Sequence, residues 1–181
     1  MGHTVLLIPV PAFEPFVRAR WEHYDPAWTS RDPHFVHAHI TVLAPFVAEP
    51  TVTDLDAVAG LAAGARPTEV RFEQVAAFPD GILHVVPEPA APFAALTAAA
   101  EAAFPQCPPY EGRFDELVPH LTLDHEMTGQ GVDSVAAALA ASPTGPLPLT
   151  ARVEHLDLQW YAEGECRLLA RWALGSGQRL R

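Results

Sequence analysis

The sequence predicts an α+β fold built as two similar lobes in one bilobal domain spanning residues 1–181. Three observations predict it. Helical and strand periodicities alternate along the whole chain. The pattern of the first half, with its helices and small mixed or antiparallel sheet, returns in the second. Each half also carries one strand with the spacing histidine, apolar, threonine, apolar: His39-Ile40-Thr41-Val42 and His120-Leu121-Thr122-Leu123.

The elements follow in order. Val5 to Val10 reads as a buried strand, and EPFVRARWEHY places Phe16, Val17, Trp21 and Tyr24 at helical spacing. After the turn DPAWTSRDP, HFVHAHITVLAPF is rich in β-branched and aromatic residues and stops at Pro45, as a strand does. TVTDLDAVAGLAAGA has a threonine cap, acids in its first turn and an apolar stripe, the marks of an amphipathic helix. TEVRFEQVAAF and GILHVV, joined by FPDG, form a hairpin. APFAALTAAAEAAF is a helix, FPQCPPYEGRF a proline-punctuated loop, ELVPHLTLDH a strand and VDSVAAALAAS a helix. LTARVEHLDLQWYAEGECRLLARWAL reads as two strands around AEGE.

Composition narrows the function. Of the 181 residues 49% are hydrophobic and 18% charged, enough for a real core. No apolar run approaches the roughly 18 residues of a membrane span, and the first residues lack a basic region and a cleavage site, so a cytoplasmic protein without a membrane partner is expected. Cys107 and Cys166 are far apart and outside any C-x-x-C pattern, as buried bystander thiols are. The net charge is -11 and all 11 basic residues are arginines dispersed along the chain. Long nucleic acid is held by clustered cations, so no extended nucleic-acid surface is expected and a small phosphorylated substrate fits better.

On a strand each motif histidine shares a face with its threonine, while Ile40, Val42, Leu121 and Leu123 face the core. Two opposed imidazoles suit phosphodiester cleavage. A neutral one accepts a proton from the attacking water and a protonated one gives a proton to the leaving oxygen. Threonine hydroxyls can donate to the non-bridging phosphoryl oxygens. This chemistry calls for no cofactor and no metal. The catalytic residues are therefore expected to be His39, Thr41, His120 and Thr122.

With these motifs the chain resembles the 2H phosphoesterase superfamily, in its 2′-5′ RNA ligase-like branch. VLLIPVP, PHFVHAHITVLAPF, FPDGILHVVPEPAAPFAALT, FPQCPPYEGRF and ELVPHLTL carry the resemblance up to about residue 126. It implies a pseudo-twofold fold with the two histidines and two threonines facing a central cleft. It also implies an enzyme acting on a 2′,3′-cyclic phosphate or a related cyclic or 2′-5′ phosphodiester, on a small nucleotide or an RNA end. By the same analogy His39 protonates the leaving oxygen and His120 activates water, although the pseudo-symmetry also allows the reverse. Many RNA-processing relatives carry an arginine shortly after the second motif, where this chain has Asp124 and His125. The expected ligand shifts accordingly towards a small nucleotide, with His125 as a phosphate contact if protonated.

Phe46, Tyr110 and Trp160 are the aromatic candidates for substrate contact, with core packing as the competing reading of each. His34, His37 and His39 raise a metal-dependent alternative, since alternation sets His37 beside His39 on one strand face. A nucleotide-binding module without turnover is the second alternative. A monomer is expected.

Overall fold

A computed structural model describes residues 2–112 and 117–180, the side chains of Tyr110 and Glu111 excepted. The strands are β1 (His3–Pro9), β2 (His39–Leu43), β3 (Thr68–Ala77), β4 (Ile82–Glu88), β5 (Leu121–His125), β6 (Leu149–Val153), β7 (His155–Tyr161), β8 (Arg167–Ala173) and β9 (Arg179–Leu180). The helices are α1 (Glu14–Tyr24), α2 (Val52–Gly64), α3 (Ala91–Ala103) and α4 (Val132–Ala141). The fold is α+β.

Local chemistry explains most of these elements. The Thr51 hydroxyl accepts from the Asp54 N–H and the Asp54 carboxylate accepts from the Thr51 N–H, a capping box that starts α2. Proline occupies the first turns of α1 and α3, where its missing N–H costs nothing. Gly81, at φ +89, closes the hairpin between β3 and β4 in a conformation a side chain would resist.

All pairings are antiparallel and build one sheet in the order β6-β3-β4-β5-β2-β1-β7-β8-β9. The repeat seen in the sequence is a symmetry of this order. About the β5/β2 seam, β5 matches β2, β4 matches β1, β3 matches β7 and β6 matches β8. The seam itself is held by one pair, Ile40 opposite Leu121.

The structure corrects one sequence expectation. LTARVEHLDLQWY is not a single strand: it breaks at Glu154 into β6, which pairs with β3, and β7, which pairs with β1. Val153 and His155 thus stand on strands with five others between them, yet their Cα atoms can be no more than about 7 Å apart. The sheet therefore curls back on itself. One lobe holds residues 68–153 and the other is assembled from both ends of the chain, so the lobes are not the two sequence halves.

The helices cross the seam. α1, which connects β1 to β2, packs on β5, while α3, which connects β4 to β5, packs on β2. α4 lies on β3 and α2 on β8. The buried core runs through both lobes, with Phe13 edge-on to Phe72 at 4.9 Å. Cys107 and Cys166 are buried free thiols. Among the described residues no helix is long and apolar enough to cross a membrane.

Candidate active site

β2 and β5 lie side by side at the seam, and their apolar positions Ile40, Val42, Leu121 and Leu123 are all buried. That burial turns the alternate residues to the opposite face. His39, Thr41, His120 and Thr122 accordingly line one cleft of about 410 Å³.

The two imidazoles are held alike. His39 Nδ1 lies 2.7 Å from the His37 carbonyl oxygen, and His120 Nδ1 lies 2.8 Å from that of Val118. A carbonyl can only accept, so Nδ1 carries a proton in each ring and Nε2 is the nitrogen left for a ligand. Burial pushes the His39 pKa down to about 4, outweighing the His37 carbonyl, which raises it; the charge of His120 lowers it further. Burial also lowers the His120 pKa, against the opposing pull of the Val118 carbonyl. At neutral pH both rings are neutral. The two surroundings differ: Tyr161 Oη sits 3.5 Å from His39 Nδ1, whereas His120 meets Phe78 and His84 edge-on at 4.9 and 5.5 Å.

His37 does not share a strand face with His39, because β2 begins only at His39. Its Nδ1 is 2.6 Å from Glu14 Oε1 and its Nε2 accepts from the Ser30 N–H at 3.1 Å. Glu14 also accepts from the Ala38 N–H. His37 thus anchors the segment before β2 to α1, with no lone pair left for a metal. Among the described residues no three His, Cys, Asp or Glu side chains are grouped to hold one.

The other candidates separate. His125 lines the cleft, but its Nδ1 accepts from the Met127 N–H at 3.0 Å. That bond occupies the Nδ1 lone pair, so a ligand contact from His125 falls to Nε2. Phe46 is a core residue, edge-on to Phe104 at 4.8 Å and away from the cleft. Trp160 also lies off the cleft, beside Gly2 and under Arg167, while the ring of its neighbour Tyr161 lies 6.2 Å from that of His39. The Tyr110 side chain lies outside the described residues.

Sequence reasoning missed the wall contributed by α1. Val17, Arg20, Trp21 and Tyr24 line the cleft at the spacing i, i+3, i+4, i+7, one helix face. An apolar stripe with this spacing ordinarily reads as core. The signal that separates the two is Arg20 inside the stripe.

A family model described as the 2′-5′ RNA ligase superfamily matches residues 9–165. No curated protein sequence matches. Among solved structures, Escherichia coli LigT complexed with 3′-AMP is 19% identical with TM-score 0.54, covering 96% of this chain and 98% of that one. E. coli LigT complexed with NADP+ is 17% identical with TM-score 0.56 over the same shares. The protein TT0787 of Thermus thermophilus is 18% identical with TM-score 0.56, covering 97% and 100%.

Proposed function

Because the chain belongs to the 2′-5′ RNA ligase superfamily, we propose that it opens a 2′,3′-cyclic phosphate, or a related cyclic or 2′-5′ phosphodiester, on a small nucleotide or RNA end. One observation carries this reading: two imidazoles from opposite lobes line one cleft, each with Nδ1 fixed to a backbone carbonyl and each paired with a threonine. The E. coli LigT structures with 3′-AMP, ATP and NADP+ support a small nucleotide as the ligand.

The reaction is a proton relay through the phosphate. The neutral Nε2 of one histidine takes a proton from water as the water oxygen bonds to phosphorus. The bond from phosphorus to the 3′ oxygen breaks, and that oxygen takes the proton from the other histidine, leaving a 2′-phosphate. Thr41 and Thr122 donate to the non-bridging oxygens, which keep their charge throughout. Because both rings rest neutral, the proton needed by the acid is held there by the bound anion, whose charge raises the pKa beside it. The four side chains act without a metal in this reading, and the metal alternative lacks its ligand His37, whose nitrogens are both engaged.

The family resemblance gives the acid role to His39 and the base role to His120. A second assignment reverses them, favoured by the deeper depression of the His39 pKa, which makes His120 the easier ring to charge.

The test compares wild type, His39→Ala and His120→Ala on 2′,3′-cyclic mononucleotides after chelation. Both substitutions are expected to lower kcat by about a hundredfold or more. A substrate with a nitrophenolate leaving group needs no acid, so it restores the variant lacking the acid and leaves the other dead. Full activity in both variants, or turnover only with added metal, would overturn the two-histidine mechanism. Tight nucleotide binding without turnover would favour a binding module.

A further inference from the structure

The α1 wall contains two large aromatics in a position where such side chains are ordinarily covered. Trp21 and Tyr24 are 37% and 42% exposed. Val118 and Met127, also exposed, stand two residues before His120 and two after His125. Four of the five exposed large hydrophobics among the described residues therefore lie on or beside this one cleft, the fifth being Val52. An apolar rim concentrated at a cleft marks a contact surface for a ligand.

Arg20 lies among them. Its guanidinium stacks over the Tyr24 ring at 4.8 Å, and its Nη2 donates to Tyr24 Oη at 2.8 Å and to Asp124 Oδ2. Its Nε is buried without a partner, and Nη1 has none among the described residues. Asp124 offers a ligand nothing: Oδ1 accepts from the His125 N–H and the Thr128 hydroxyl, Oδ2 accepts from Arg20, and the side chain is only 2% exposed.

The Asp124 carboxylate thus cancels the charge of Arg20 and leaves the Nη1 N–H donors for a ligand. A phosphate is drawn by net positive charge, whereas a nucleobase needs an aromatic face and directed donors. Asp124 stands two residues beyond Thr122 on β5, a strand repeat of roughly 7 Å, so this wall adjoins the phosphate position.

We propose that Arg20, Trp21 and Tyr24 form a nucleobase subsite in which the aromatics take the base face and Arg20 donates to an acceptor on its edge. The subsite selects guanine, whose N7 and O6 are adjacent acceptors, over adenine, whose 6-amino donor stands beside both N7 and N1. This rests on the reading of the cleft as a nucleotide site.

Calorimetric titration with 2′-GMP, 2′-AMP and inorganic phosphate tests it. Wild type is expected to bind 2′-GMP roughly three- to tenfold tighter than 2′-AMP, the worth of one hydrogen bond. Arg20→Lys keeps a cation against Asp124, so the fold is protected, and should bring that ratio close to one with phosphate affinity unchanged. Trp21→Ala should weaken both nucleotides about tenfold. In turnover, Arg20→Lys should raise KM for 2′,3′-cyclic GMP at unchanged kcat. Equal binding of the two bases, or a ratio that survives Arg20→Lys, overturns the subsite. An equal loss of both nucleotides and phosphate in that variant would make Arg20 an anion site instead. Absence of turnover on every cyclic phosphate, with base-dependent binding intact, would sink the phosphodiesterase reading and leave the subsite standing.

Discussion

His39 makes the folded state sensitive to acid. Its pKa is about 4 in the fold, against an ordinary value near 6.5 in the open chain. Between those values the unfolded chain binds the proton more readily, so this contribution to stability is complete above pH 6.5 and is lost as pH falls towards 4. Its size is on the order of 3 kcal/mol at most. The urea midpoint of the wild type is expected to fall between pH 7 and pH 4.5, and to fall less in His39→Gln. Identical losses in the two proteins would place the acid sensitivity elsewhere. Phe46 makes a contrasting prediction, because it sits in the core against Phe104. Phe46→Ala should cost about 3 to 5 kcal/mol in chemical denaturation. Its KM should not move; a raised KM at unchanged stability would return Phe46 to the substrate.

Strand β7 ties the site to the outer part of its sheet. Asp157 is fully buried and receives Nε and Nη2 of Arg171 on the paired strand β8 at 2.7 and 2.6 Å. Arg171 also donates to the His34 carbonyl, and Gln159 to that of Val36, so β7 and β8 hold the segment leading to His39. Arg171→Met would leave a buried carboxylate unpaired, at a cost of about 3 kcal/mol seen in thermal or urea unfolding. Asp157→Asn combined with Arg171→Met should recover much of it; no recovery would mean that the lost carbonyl contact dominates. At this scale the sequence was legible wherever an element is decided locally. The Thr51 capping box, the Gly81 hairpin and the two histidine strands follow from nearby residues. The break at Glu154 does not, because alternation continues straight through it from Val153 to His155, and only the curl of the whole sheet separates the two strands. Likewise the stripe Val17, Trp21, Tyr24 has a core-like spacing, and only the tertiary placement of α1 over β5 leaves its C-terminal half facing the cleft.

At the scale of the molecule, the exchanged helices set the cooperativity. The lobes share one ladder pair at the seam, which by itself would let them unfold separately. Yet β5 is covered by α1, whose chain neighbours β1 and β2 belong to the other lobe, and β2 is covered by α3, which enters from β4. Neither lobe can unfold without stripping an apolar cover from its neighbour, and the core is continuous between them. The four tryptophans, Trp21, Trp28, Trp160 and Trp172, all fall in the segments that build the lobe of β1, β2, β7 and β8 or in the connection between β1 and β2. Their fluorescence therefore reports on that part of the molecule, whereas far-ultraviolet circular dichroism reports on both lobes. In urea the two signals are expected to trace one coincident transition. A plateau in the dichroism after the fluorescence change is complete would mean that residues 68–153 stand without α1. Binding of a nucleotide across the seam should move both signals together to higher urea, by about 2.7 kcal/mol at one hundred times its dissociation constant. A shift of the fluorescence alone would place the ligand within one lobe and not between the two histidines.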